Sequence, residues 1–270
     1  MPRRSRLDAE LVRRGLARSR TQAAQLIGDG RVLVAGSRAV KAASQVGTDQ
    51  PIVVSADAGG EPDYVSRGGR KLAGALTAFA PRGLAVTGRR CLDAGASTGG
   101  FTDVLLRAGA ACVVAVDVGY GQLAWRLRTD ERVAVLERVN VRELRPEQLD
   151  GPPPDLVVAD LSFISLTLVL PALLRCAAPG ADFVLMVKPQ FEVGRELVGA
   201  GGVVRDPAAR ALAVRRVADA ALALGAGVVD ITASPLPGPS GNVEYFVWFS
   251  REAGPLDPER LDRAIAEGPR

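Results

Sequence analysis

From residue 90 onward the sequence alternates short, almost uninterrupted apolar runs with longer stretches at helical spacing, and no other feature restricts the fold as much. The runs are Cys91 to Asp93, Val113 to Val118, Val133 to Leu136, Leu156 to Leu161, Phe183 to Val187, Val228 to Ala233 and Tyr245 to Phe249. Successive strand residues point to opposite faces, so an apolar run without polar breaks marks a strand covered on both sides. Sheets covered in that way are parallel, with a crossover helix between consecutive strands. The first five runs predict such units. The last two are joined by Ser234-Pro-Leu-Pro-Gly-Pro-Ser-Gly-Asn242, which has no room for a crossover helix, so the final strand is predicted to run backwards. The expected fold is α/β, an open seven-stranded Rossmann-like sheet with its last strand antiparallel.

Composition removes several classes of chemistry. The chain has no histidine among its 270 residues, hence neither the usual base of Ser-His and Cys-His catalysis nor the commonest metal ligand. No metal site is expected. Cys91, Cys112 and Cys176 are odd in number, far apart and set in apolar runs, as small buried hydrophobes are. Of 34 basic residues only Lys41, Lys71 and Lys188 are lysines. Arginine cannot be deprotonated at working pH, so a lysine here marks a place where an amine is wanted. The longest uncharged stretch, Leu161 to Leu174, is 14 residues with a proline inside, short of a membrane span. The basic start runs directly into Asp8 and Glu10 without an apolar core, so no secretory signal, no membrane partner and a cytoplasmic location are expected.

Charge divides the chain in two. Residues 1 to 60 carry nine Arg and one Lys against five acids, while the remainder is nearly neutral. Arginine clustered on a small domain is the footprint of a phosphate-backbone binder. Within this segment Leu7, Leu11 and Val12 fall at helical spacing and Gly15 stops that turn. Ser19-Arg-Thr-Gln22 reads as a capping box opening a second helix, which Gly28 and Gly30 end before a strand at Val32 to Ala35. Arg14, Arg18 and Arg20 fall around the junction of the helices, where they could reach one phosphate track. The pattern Arg6-Leu-Asp-x-x-Leu11, Gly15-Leu-Ala-x-Ser19-Arg20 and Leu26-Ile-x-x-Gly30-x-Val-x-Val34-x-Gly36 resembles the S4-type RNA-binding module. It departs at Ala35, where such modules often carry Asn, in a turn rather than on the arginine face. The resemblance makes Arg4, Arg6, Arg14, Arg18, Arg20 and Lys41 candidate RNA contacts, with Arg67 beyond the linker. The expected division is an S4-like domain at 1–60, a linker at 61–64 in a Gly/Pro-rich stretch, a large domain at 65–252 and a tail at 253–270, with Leu256, Leu261 and Ile265 as the packing side of a tail helix.

Open α/β sheets bind ligands where the strands end. The first strand runs into Asp93-Ala-Gly-Ala-Ser-Thr-Gly-Gly-Phe101, whose glycines permit a tight turn and close approach of a ligand, and the second ends in Asp117, suited to ribose hydroxyls. The loop spacing, Gly-x-x-x-Gly-Gly, is not the dinucleotide fingerprint. It resembles the first motif of class I S-adenosylmethionine-dependent methyltransferases, and a reversed seventh strand is their arrangement. That resemblance implies S-adenosylmethionine held by Asp93, Gly95, Ala96, Ser97, Thr98, Gly99, Gly100 and Phe101, with Asp117 at the ribose, Asn140 at the adenine and Asp160 beside the reacting end.

Asp160 and Lys188 close the fourth and fifth strands at the same sheet edge, and Glu244 opens the reversed strand there. Lys71 lies in a helical stretch, Arg70 to Phe79, able to cover that edge. Methyl transfer to a sugar hydroxyl needs a proton acceptor, and without histidine a lysine is the candidate: Lys188 as base, Lys71 as neighbouring cation, Asp160 and Glu244 as orienters. The set looks like the Lys-Asp-Lys-Glu tetrad of ribose 2′-O-methyltransferases. Ser66-Arg-Gly-Gly-Arg-Lys71, Asp117-Val-Gly-Tyr-Gly-Gln-Leu123, Asp160-Leu-Ser-Phe-Ile-Ser165, Val187-Lys-Pro-Gln-Phe-Glu192 and the 234–244 segment are similar to the TlyA family, to which the name haemolysin also attaches. This resemblance implies 2′-O-methylation of cytidine ribose in small- and large-subunit ribosomal RNA, with ribosomal subunits as partners and a monomer favoured. The linker lacks the Arg-x-Trp pattern of some members and has Pro62-Asp63-Tyr64. The competing reading is a non-catalytic RNA-binding protein, which would bind no cofactor; a membrane-active toxin and a nicotinamide enzyme fit the sequence less well.

Overall fold

A computed structural model of the chain describes residues 4–28, 30–54 and 64–269 and divides it into two compact units, Met1–Asp63 and Tyr64–Arg270. Most of the expected linker therefore lies outside the described residues. Among the described residues no helix is long and apolar enough to cross a membrane.

The first unit is built from β1 (Arg4–Arg6), α1 (Leu7–Arg13), α2 (Arg20–Gly28), β2 (Val32–Val34), β3 (Ser37–Arg38), β4 (Gln45–Gly47) and β5 (Ile52–Val54). Leu7, Leu11, Ala23, Leu26, Ile27 and Val32 bury their side chains in its core. Ser19 Oγ accepts from Gln22 N at 3.1 Å as a cap should, but the Gln22 side chain turns to Arg18 N at 2.6 Å rather than to Ser19 N, so the expected box is shifted by one residue. Two buried acids organise the arginines. Asp8 takes bonds from Arg6 and Arg20, and Glu10 from Arg13 and Arg14. Arg14 also donates to the carbonyls of Gln50 and Thr48. This corrects the expectation of a shared phosphate track: Arg14 is turned inward to tie α1 to the β4–β5 turn, whereas Arg4, Arg6, Arg18, Arg20 and Lys41 are exposed.

Strand β2 stops at Val34, one residue short of the expected end, because Ala35 and Gly36 form the turn into β3 with φ of 48° and 81°. Two positive φ values in a two-residue hairpin turn favour Asn-Gly, which explains why an Asn is expected where this chain has Ala. Ala35→Asn should therefore stabilise the first unit by about 0.5–1 kcal/mol, seen as slower native-state exchange of the β2 amides; unchanged or faster exchange would contradict the turn assignment. The arginine bonds hold the Asp8 carboxyl far below its ordinary 3.8 and bring Glu10, led by Arg13 and then Arg14, from 4.5 to about 2. Depressed carboxyl pKa values give stability that is full above the unfolded values and lost as pH falls through the folded ones. The denaturant midpoints of α1 and α2 resonances in NMR of the full chain should thus fall as pH drops below about 4; midpoints unchanged down to about pH 2 would contradict it.

The second unit contains α3 (Arg67–Phe79), β6 (Arg90–Ala94), α4 (Gly100–Arg107), β7 (Cys112–Asp117), α5 (Trp125–Arg128), β8 (Val133–Glu137), β9 (Leu156–Ala159), α6 (Leu166–Cys176), β10 (Asp182–Val187), α7 (Pro189–Glu192), α8 (Pro207–Ala223), β11 (Gly227–Ala233), β12 (Tyr245–Ser250) and α9 (Pro258–Glu267). The seven strands β6 to β12 form one sheet in the order β11-β12-β10-β9-β6-β7-β8. All neighbours from β10 to β8 are parallel, and β12 is antiparallel to both β10 and β11. Side-chain alternation divides the core as the apolar runs require. Leu92, Val114, Val157 and Leu185 face α6, α8 and α9, and Cys91, Val113, Val158 and Val184 face α3 and α4. In the tail, Leu261 and Ala264 of α9 are buried and Leu256 and Ile265 partly so.

Of the boundaries that differ from the sequence reading, three bear on the ligand edge. Strand β7 ends at Asp117 and β9 at Ala159, so Val118, Asp160 and Leu161 already belong to the loops beyond the strands. Helix α3 starts at Arg67, three residues early, because Gly68 and Gly69 permit its first turn to lie against the loop before α4. A Cβ at Gly69 would come within 2.6 Å of Tyr64 Cβ and 3.1 Å of Gly100 O. Tyr64 itself stacks under the Arg107 guanidinium, 5.1 Å from its ring centre.

Candidate active site

The carboxyl edge of the parallel strands carries the polar side chains that the core excludes. Gly95 leaves β6 at φ 87° and Gly99 enters α4 at φ 100°, both left-handed. Between them Ser97 N donates to Asp117 Oδ2 at 2.7 Å, and Gly119 N donates to Asp117 Oδ1 at 2.6 Å. One carboxylate at the end of β7 thereby fixes the loop after β6 and its own turn. A Cβ at Gly95 would lie 2.6 Å from Asp160 O, so the absence of a side chain lets the loop after β6 pack directly against the backbone of the loop after β9. Beneath the loop Asp93 is fully buried. Thr102 Oγ1 donates to its Oδ2 at 2.6 Å, and its Oδ1 has no partner among the described residues. Burial pushes this carboxyl up to about 7 against the opposing Thr102 bond.

Two clefts meet on this edge. One, of about 480 Å3, is lined by Gly95, Ser97, Asp117, Asn140 and Asp160. The other, of about 320 Å3, is lined by Ala96, Thr98, Gly100, Phe101 and the four residues Lys71, Asp160, Lys188 and Glu244. Asn140 caps the turn after β8, accepting from Arg142 N at 3.1 Å, and reaches the first cleft from there. Arg67 lines the second and donates to Pro237 O at 2.8 Å.

The four charged residues stand as two pairs. Lys71 Nζ donates to Glu244 Oε2 at 2.5 Å, joining α3 to the residue before β12. Lys188 Nζ lies 2.6 Å from Asp160 Oδ1, joining the ends of β10 and β9. Both lysines are buried, at 5% and 8% exposure, and buried charge is tolerated only when paired. Each lysine thus has its own carboxylate, where the sequence suggested one mixed cluster. Sequence reasoning missed Ser162, whose Oγ accepts from Lys188 Nζ at 2.9 Å. Its signal was its place two residues after Asp160 on the loop facing Lys188.

The cleft fits a ligand that needs close backbone approach, hydroxyl acceptors at one end and a charged reaction centre at the other. Comparison with known proteins agrees. The FtsJ-like methyltransferase family model matches residues 64–251 and the S4 domain model residues 5–52. The chain is 61% identical over the whole length of both proteins to the 16S/23S rRNA (cytidine-2′-O)-methyltransferase TlyA of Mycobacterium tuberculosis. It is 35% identical to the 23S rRNA (cytidine-2′-O)-methyltransferase TlyA of Campylobacter jejuni, across 69% of this chain and 70% of that protein. A solved structure from Streptococcus thermophilus, carrying a hemolysin name, superposes with TM-score 0.77 at 36% identity and covers 99% of this chain and 96% of its own.

The buried Asp93 makes a thermodynamic prediction. A carboxyl whose folded pKa is raised gives stability that is full below the unfolded value of 3.8 and is lost as pH climbs toward about 7. Relative to Asp93→Asn, the unliganded chain should therefore lose roughly 1.4 kcal/mol of unfolding free energy per pH unit across that window. Denaturant titrations followed by fluorescence of the buried Trp248 would measure it; a difference that does not change with pH would show Asp93 to be ionised in the fold.

Proposed function

The chain belongs to the TlyA family, FtsJ-like methyltransferases with an N-terminal S4 domain, and from that premise we propose that it methylates the 2′-hydroxyl of a cytidine ribose in ribosomal RNA, in both 16S and 23S rRNA. The observation carrying this reading is the pair of buried lysine–carboxylate contacts beside the glycine loop in one cleft. S-adenosylmethionine, when bound, supplies an electrophilic methyl group on a sulfonium. The loop from Asp93 to Phe101, of which Gly95, Ala96, Ser97, Thr98, Gly100 and Phe101 line the clefts, receives its amino-acid part. Asp117 receives its ribose hydroxyls and Asn140 faces its base from the cleft they share, with Asp160 at the boundary of the two clefts.

Lys188 would accept the proton of the ribose hydroxyl as that oxygen becomes the nucleophile. Asp160, 2.6 Å from the amine, and Ser162, which accepts from it, hold Lys188 at the wall of the cleft. Lys71, pinned by Glu244, sets the opposite wall and offers positive charge to the developing oxyanion. Arg4, Arg6, Arg18, Arg20 and Lys41 on the S4 unit, and Arg67 at the cleft, contact RNA phosphates, so binding weakens as salt rises.

Lys188→Ala should reduce tritiated methyl transfer to unmodified ribosomal subunits by about 10²- to 10⁴-fold while S-adenosylmethionine binding, followed by calorimetry, persists. Near-wild-type turnover in that variant would remove Lys188 from the role of base. Failure of the wild-type chain to bind S-adenosylmethionine would remove the catalytic reading altogether.

A further inference from the structure

The segment Val187-Lys-Pro-Gln-Phe-Glu192 carries two charged side chains, of which the methyl transfer employs only Lys188. Phe191 N donates to Lys188 O at 2.9 Å and Val193 N to Pro189 O at 3.0 Å, so the single turn of α7 holds Lys188 and Glu192 in fixed relation. Glu192 is buried and lines neither cleft. A carboxylate in that setting needs donors, and both of its oxygens find them outside α7. Ser165 Oγ donates to Oε2 at 2.5 Å and Leu166 N to Oε1 at 2.8 Å. From α8, Arg216 donates to Glu192 O at 3.0 Å and steadies the acid's own backbone. Helix α6 already has a cap in Ser165, which accepts from Thr167 N at 3.2 Å, so Glu192 does more than end that helix.

Ser165 and Leu166 terminate the loop that carries Asp160 and Ser162. The other end of this loop is fixed to the sheet, where Asp160 N donates to Ala94 O at 3.1 Å. Among the described residues, 161–164 make no backbone hydrogen bond. Phe163, in the middle, is held at φ 64° and sets its ring against that of Phe191, with centres 5.3 Å apart. A segment without backbone bonds of its own takes its path from its ends. One end is strand β9, and the other is gripped by Glu192.

We propose that Glu192 is a positioning residue for the methyl transfer: by holding Ser165 and Leu166 it keeps the 160–165 loop against α7, so that Asp160 and Ser162 lie 2.6 and 2.9 Å from the amine of Lys188. The proposal rests on the reading of Lys188 as the base. Glu192 itself does not touch the substrate. Without it the loop is free to draw away from α7, and the buried amine loses both of its partners together. Misplacing a reacting group by about 1 Å costs on the order of 10²-fold in rate. That loss falls on kcat, because Ser97, Asp117 and Asn140, at the cofactor's ribose and base end, belong to other loops.

The test combines NMR of the full chain labelled with nitrogen-15 lysine and methyl transfer from tritiated S-adenosylmethionine to unmodified ribosomal subunits. Glu192→Ala should speed water exchange of the Lys188 ammonium by about tenfold and leave that of Lys71, paired with Glu244, protected. Its kcat should fall by about 10- to 100-fold, with the KM for S-adenosylmethionine within about twofold of wild type. Glu192→Gln keeps an oxygen for Leu166 N, and its amide N–H can donate to Ser165 Oγ while that hydroxyl turns its proton to Thr167 Oγ1, 2.7 Å away. It should therefore recover both kcat and protection. A role confined to the end of α6 would lower the stability of Glu192→Ala without releasing Lys188. That result, a wild-type kcat in Glu192→Ala, or a Glu192→Gln chain no better than Glu192→Ala overturns the proposal and leaves the reaction standing. Release of Lys71 as well would mean that Glu192→Ala has lost its fold, and Ser165→Ala then decides: faster exchange at Lys188 alone supports the proposal, and an unchanged rate contradicts it. Absence of methyl transfer by the wild-type chain removes the catalytic reading instead, while the exchange of Lys188, read without turnover, still tests the grip of Glu192 on the loop.

Discussion

Two amines held by two carboxylates at the edge of a buried sheet are the constraint around which the second unit is arranged. Neither lysine could be buried alone, since an unpaired ammonium away from water is prohibitively costly. The pairs also act as struts. Lys188–Asp160 spans the adjacent strands β10 and β9, and Lys71–Glu244 ties helix α3 to the start of β12. The reversal of β12 brings Glu244 to this edge; in an all-parallel sheet the residue before the last strand would lie on the opposite side. The same topology that closes the sheet therefore completes the charged set.

The glycines of the β6–α4 loop and of α3 serve a common purpose. Gly100 and Gly69 permit contact between α3 and the loop, since a Cβ at Gly100 would lie 2.3 Å from Ser66 Oγ. That contact delivers Lys71 to the cleft. Asp117 then locks the loop from the other side through Ser97 N and Gly119 N. A buried Glu192 extends the scaffold: it accepts from Ser165 Oγ and Leu166 N, connecting the loop that carries Asp160 and Ser162 to the turn that carries Lys188. Burial raises the Glu192 carboxyl, with the Ser165 and Leu166 bonds opposing.

Much of this was legible in the sequence because burial on both faces leaves an unmistakable mark. Uninterrupted apolar runs located all seven strands, and the proline-rich 234–242 segment announced the reversed one. Strand ends were less clear: Leu161 and Val118 are as apolar as a strand residue, but they belong to loops beyond it, and apolarity alone does not mark where pairing stops. The four charged residues could be placed on one edge by topology, yet which lysine pairs with which acid depends on helix α3 starting three residues early, a consequence of glycine packing rather than of helix propensity. Arg14 shows the opposite limit. Its charge is the same as that of Arg18, and the buried Glu10 together with the carbonyls of Gln50 and Thr48 turns it inward.

With three lysines in the chain, nitrogen-15 labelling of lysine gives an NMR spectrum in which every ammonium can be followed by itself. The structure predicts two side-chain signals protected from water exchange, for Lys71 and Lys188, and one exchanging freely, for the exposed Lys41. Asp160→Asn should release only the Lys188 signal and Glu244→Gln only that of Lys71. Fast exchange at all three amines in the native chain, or release of the wrong one by either substitution, would contradict the paired arrangement on which the cleft is built.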